Sequence, residues 1–121
     1  MGSKRNGWQQ CKNELQSVGV SNSLFTQDLG PKLDSYDTSV AKYDSARTTG
    51  ARSDPQVVAL AKAVRASCAI LLPAAVSYEQ QVRHLVEHAT DPRQKPALAS
   101  AASWLLALIN EVGAKQRTLP A

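Results

Sequence analysis

Apolar residues recur along this chain at spacings of three and four rather than two. Trp8, Cys11, Leu15 and Val18 follow that spacing, and side chains three and four apart share one face of a helix. They predict a short first helix over residues 7–18. Leu29, Leu33, Tyr36, Val40 and Tyr43 continue the pattern through a second helix over 23–48. Its other faces carry Lys32, Asp34, Asp37, Lys42 and Asp44, so the apolar stripe is narrow and seam-like. Gly30-Pro31 falls early in this segment and predicts a break or a start there, because proline is tolerated in the first turn and disfavoured further in.

The third helix has the strongest start signal. Ser53-Asp54-Pro55-Gln56 offers a cap hydroxyl, a proline near the first helical position and a Gln three residues after Ser53, as in a capping box. The pattern then runs over 55–90, which is about 54 Å at 1.5 Å per residue. Val57, Leu60, Val64, Cys68, Leu71, Ala75, Tyr78, Val82 and Leu85 share its inner face, and Lys62, Arg65, Gln80, Arg83 and Glu87 the opposite one. Pro73 projects from the polar side; it either bends one helix around the core or separates two. After Asp91-Pro92, a fourth helix over 93–116 buries Leu98, Ala102, Leu105, Ile109 and Val112, with Trp104 and Leu108 at one edge. Lys115 and Arg117 suit its negative C-terminal dipole. No stretch alternates with the period of a strand. The expected fold is all-α, an antiparallel four-helix bundle with one domain over residues 1–121.

Composition agrees with that picture. A chain of 121 residues with 43% apolar and 20% charged residues is large enough for one core and too apolar for general disorder. Two Trp, three Tyr and one Phe are few aromatics, which favours close-packed helices over a β-sandwich. The stretch Ala69–Val76 is short and contains Pro73, so no transmembrane segment is expected. Met1 to Asn6 lacks the apolar stretch of a secretory signal, and Asn6 stands where a myristoylation site has Ser or Thr. Cys11 and Cys68 are far apart and fall on apolar faces, which predicts buried free thiols in a reducing, cytoplasmic setting.

Chemistry has few footholds. His84-Leu85-Val86-Glu87-His88 matches H-x-x-E-H, which puts two imidazoles one turn apart with a carboxylate beside them. In an inverted-zincin setting a further Glu ligand stands well downstream, and only Glu111 follows. His84, Glu87 and His88 are therefore the metal candidates, without the third ligand that hydrolysis would need. No Glu precedes a His by three residues as a di-iron bundle requires. No nucleotide loop or nucleophile elbow is present, so no cofactor, no small-molecule substrate and no enzymatic activity are expected.

The net charge of +4 permits an acidic partner. Lys62, Arg65 and Arg83 share the outer phase of the third helix and are candidate phosphate contacts, although acidic residues intersperse the basic ones. The sharper anomaly is residues 66–76, which are apolar nearly all round. Such a helix is usually covered on both sides. Either the first helix or the N-terminal segment lies over it, or Ala69, Leu72 and Val76 form a homodimer or partner surface. The expected function is a non-enzymatic interaction module, with a nucleic-acid-associated subunit and a zinc protein as alternatives. Asp91-Pro92 followed by an Ala/Leu-rich helix resembles the rod bundles of talin and vinculin in layout, and no motif assigns the chain to a family.

Overall fold

The computed structural model describes the backbone of residues 3–20 and 23–119, and side chains over 9–20 and 28–119. It contains four helices, α1 (Ser3–Ser17), α2 (Ser23–Thr49), α3 (Pro55–His88) and α4 (Gln94–Thr118), and no strand among the described residues. Helix α1 starts four residues earlier than Gly7 suggested, and α3 ends two residues before Thr90. The side chain of Trp8, the first apolar position expected in α1, lies outside the described residues.

All four helices feed one core. Cys11 and Leu15 come from α1, Leu29, Leu33, Tyr36 and Tyr43 from α2, Val64, Cys68 and Leu71 from α3, and Leu98, Leu105 and Val112 from α4. The helices neighbour one another in a ring: α1 touches α2 and α4, and α3 touches α2 and α4, while no α1–α3 contact occurs among the described residues. Two cross-helix hydrogen bonds fix the register of α2 against α3. The hydroxyls of Ser39 and Ser67 lie 3.1 Å apart, and the Tyr78 hydroxyl donates to Asp28 at 2.7 Å. Positions in α2 therefore descend as those in α3 ascend.

That register explains one departure from the helical phase. Leu85 belongs to the inner stripe by spacing, yet it is 40% exposed. Continuing the pairing past Asp28–Tyr78 carries Leu85 beyond Ser23, where α2 begins. Its face is correct, but no described residue of α2 stands opposite it.

The helix starts also differ from expectation. Asp54, not Ser53, caps α3: its Oδ1 accepts from the Gln56 N–H at 2.9 Å, with Pro55 as the first helical residue. Asp91 accepts from the Arg93 N–H at 2.8 Å, a turn that precedes α4 rather than capping it, and α4 opens without a side-chain cap. Gly19 closes α1 with φ 79°, while the Val20 N–H reaches back to the Leu15 carbonyl at 2.9 Å. Only glycine adopts that conformation without steric cost.

Neither proline interrupts its helix. Helix α2 runs through Pro31 and α3 is a single helix through Pro73, so the expected break at Gly30-Pro31 and the two-helix alternative at Pro73 are both corrected. Pro73 is exposed, as is Ala69, whose carbonyl it leaves without an intrahelical partner.

Both α3 and α4 are long and apolar enough to cross a membrane by length and composition, with 28% and 33% of the qualifying windows buried inside the bundle. The short run Ala69–Val76 understated this, because mean hydropathy over an 18-residue stretch tolerates interruptions that a continuous run does not.

Candidate functional site

The outer side of α3 carries the apolar excess of residues 66–76, and the structure shows whether α1 covers it. Because α1 lies against α2 and α4, it does not cover the middle of α3. Ala69 is exposed and Val76 is 36% exposed, while Leu72 is half-buried and packs against the core. Of the three candidate contact residues, two are accessible and Leu72 is an edge-of-core residue.

Two further exposed residues went unassigned from sequence. Ile70 is 57% exposed and lines a shallow groove of about 170 Å³ with Pro31, Lys32, Ser35 and Ser67. Leu106 on α4 is 51% exposed. Helical phase relates Leu106 to Val76. Nine residues turn a helix through about 180° at 3.6 residues per turn. Val76 is nine residues from Ser67, which meets Ser39 of α2, and Leu106 is nine from Lys115, which donates to Asp44 of α2 at 2.7 Å. Val76 and Leu106 therefore both stand on the side of the bundle remote from α2. The sequence signal was present: each sits one residue, or about 100°, off the core stripe.

The basic trio is less available than its phase implied. Lys62 is exposed and Arg65 is half-buried. Arg83 donates to Glu79 at 2.8 Å, and Glu79 is the buried charged residue of α3, with 8% exposure. Glu79 was not singled out from sequence, although Glu followed by Arg four positions later is the favourable helical orientation for an ion pair. Its charge is held at the α3 surface by Arg83, so this arginine compensates a buried carboxylate as well as facing solvent.

His84, Glu87 and His88 all lie exposed on the last turns of α3. One ligand atom from each falls within 4.8 Å of the others, and the two imidazole centroids are 4.3 Å apart with the rings tilted by 52°. A groove of about 470 Å³ beside them is lined by Ser77, Gln80, Gln81, His84 and Leu85.

Cys11 and Cys68 are buried, free thiols, as their phases predicted. Burial, reinforced by Glu14, pushes the Cys11 thiol up to about 11, and burial also raises Cys68. Both are therefore poor nucleophiles. Beneath the α2 start, Asp28 accepts from Lys32 as well as from Tyr78. Those two hydrogen bonds hold its carboxyl below the usual range, and Tyr78 is pushed up to about 12 by burial and by the bond to Asp28. No known protein family matches the chain, and neither a curated protein nor a solved structure matches it.

Proposed function

We propose that this protein is a non-enzymatic helical-bundle assembly module that associates with a protein partner, foremost a second copy of itself, through the outer side of α3 and the adjoining flank of α4. The observation that carries the reading is the pair Val76 and Leu106, large apolar side chains exposed on the same side of the bundle. Around them stand alanines, Ala69 on α3 and Ala99 on α4, which let another helix approach closely. Apolar positions surrounded by polar ones are the composition of a protein-binding patch.

This reading is favoured over phosphate binding because Arg83 is engaged by Glu79 and Arg65 is half-buried. It is favoured over hydrolysis because His84, Glu87 and His88 all lie exposed, whereas hydrolytic sites gain their electrostatic strength by excluding water. It treats α3 and α4 as core helices of a soluble bundle, because they supply inner residues such as Leu71 and Leu105 to a shared core. A cytoplasmic setting goes with the two free thiols.

The test is the solution mass by light scattering over a range of protein concentrations. The expected result is a dimer that Val76→Glu or Leu106→Glu converts to a monomer with unchanged helicity. Leu72→Glu is the wrong probe, because Leu72 packs against the core and its replacement attacks folding. A monomer at every concentration, or a dimer indifferent to both substitutions, overturns the proposal. So does partitioning of the folded chain into lipid vesicles in place of self-association.

A further inference from the structure

We propose that His84, Glu87 and His88 form a binding site for a divalent transition cation of the Zn2+ or Ni2+ class on the last two turns of α3. The proposal is independent of the assembly surface, from which it differs in residues and in ligand.

The donor set has the chemistry of such a site. Two imidazoles and a carboxylate suit a borderline cation, whereas Mg2+ and Ca2+ call for oxygen ligands. The helix supplies the spacing. His84 and His88 are four residues apart and so stack one turn above the other, and Glu87 lies within the same arc of about 100°. In the structure the three ligand atoms already lie within 4.8 Å of one another. Atoms bound to a tetrahedral cation at about 2.1 Å stand roughly 3.4 Å apart. Closing the site therefore asks each pair for a shift of about 1.4 Å at most, which exposed side chains supply by small torsional changes.

With Glu87 as a ligand, the carboxylate that would activate water in the H-x-x-E-H pattern is itself coordinated. Three protein ligands leave one tetrahedral position for water. The groove lined by Gln80, Gln81 and His84 adjoins one of the three ligands. The role that follows is structural rather than hydrolytic.

The place in the fold gives the cation something to stabilise. Leu85 is 40% exposed, and α2 begins at Ser23, below this level of α3. The helix end is weakly tied, since the Ala89 N–H reaches only the Val86 carbonyl, at 3.4 Å. A cation joining His84 to His88 bridges consecutive turns, and it can do so only while those turns are helical. Binding the folded end in preference to the unfolded one raises the thermal midpoint with cation concentration.

The experiment uses the full chain without an added histidine tag, titrated calorimetrically with Zn2+ and separately with Ni2+. The expected result is one cation per chain, with affinity reduced at least tenfold by His84→Ala and by His88→Ala, and by a smaller factor by Glu87→Gln. All three residues are exposed, so the variants should keep the helicity of the parent, which circular dichroism checks. Co2+ provides the spectroscopic readout, because thiolate ligation by Cys11 or Cys68 would add a charge-transfer band that imidazole and carboxylate do not give. Wild-type affinity in the His84→Ala/His88→Ala double variant overturns the proposal, as does a thiolate band or failure to bind either cation.

Discussion

The hydroxyl of Tyr78 donates to the carboxylate of Asp28 at 2.7 Å, joining α3 to the beginning of α2 across fifty positions of sequence. Lys32 donates to the same carboxylate from the next turn of α2. The first contact sets the register between two helices, and the second keeps the acceptor ionised. Tyr78 is 8% exposed, so its ring belongs to the core while its hydroxyl reaches the edge.

Tyr78→Phe should therefore lower the thermal midpoint by a few degrees and change its pH dependence. Asp28 is held below its ordinary value of 3.8, first by Lys32 and then by Tyr78. A depressed carboxylate contributes stability above its unfolded-state pKa and loses it as pH falls through the folded-state value. Tyr78 is raised from 10.0 to about 12, so its contribution is complete below pH 10 and is lost as pH rises toward 12. Thermal melts across pH should show both arms in the wild type. The variant should have shallower acid and alkaline arms, with Tyr36, also raised by burial, retaining part of the alkaline one.

The start of α3 discriminates between two adjacent cap candidates. Asp54→Ala removes the acceptor of the Gln56 N–H and should cost about 1 kcal/mol, within the 0.5–2 typical of lost caps. Ser53→Ala, on an exposed residue, should stay within about 0.5 kcal/mol of the wild type. Chemical denaturation of the two variants measures the difference.

Two neighbouring residues of α3 should respond oppositely to truncation. Leu71 has no exposure and Ile70 is 57% exposed. Leu71→Ala should cost about 2–5 kcal/mol through lost burial and the cavity left behind. Ile70→Ala should change stability by less than about 0.5 kcal/mol, the range of ordinary surface substitutions. Denaturant unfolding at equal protein concentration checks both.

The thiols should be inert until the bundle opens. With the Cys11 pKa near 11, only about 0.1% is thiolate at pH 8. Cys68 has no exposure and is also raised. A disulfide-exchange reagent should label the native chain slowly and release two equivalents promptly in denaturant. Rapid native labelling of Cys68 would contradict its burial.

How far the sequence could be read varied with the kind of question asked. The stripe Leu29, Leu33, Tyr36 and Tyr43 was found buried as its period required, because each of these side chains needs only the correct face and a neighbour opposite. Leu85 had the face but lies past the start of α2 at Ser23 and is exposed, which the period cannot reveal. The capping-box pattern pointed to Ser53, whereas backbone geometry makes Asp54 the cap. Pro31 and Pro73 looked like interruptions because local propensity counts the lost hydrogen bond, whereas packing of the surrounding turns holds both helices continuous.

For the candidate surface, the sequence by itself established that residues 66–76 of α3 carry more apolar side chains than one core face can use. It also placed His84, Glu87 and His88 on neighbouring turns. Both follow from the 3.6-residue period, which fixes angular position around a helix without reference to any other part of the chain. Only the tertiary structure decided what lies against that excess. Helix α1 packs on α2 and α4, so Val76 remains accessible and Leu106 joins it from an element thirty residues away. Which helix covers which face depends on the mutual arrangement of four helices, and that arrangement is set by contacts such as Tyr78–Asp28 that no local spacing encodes.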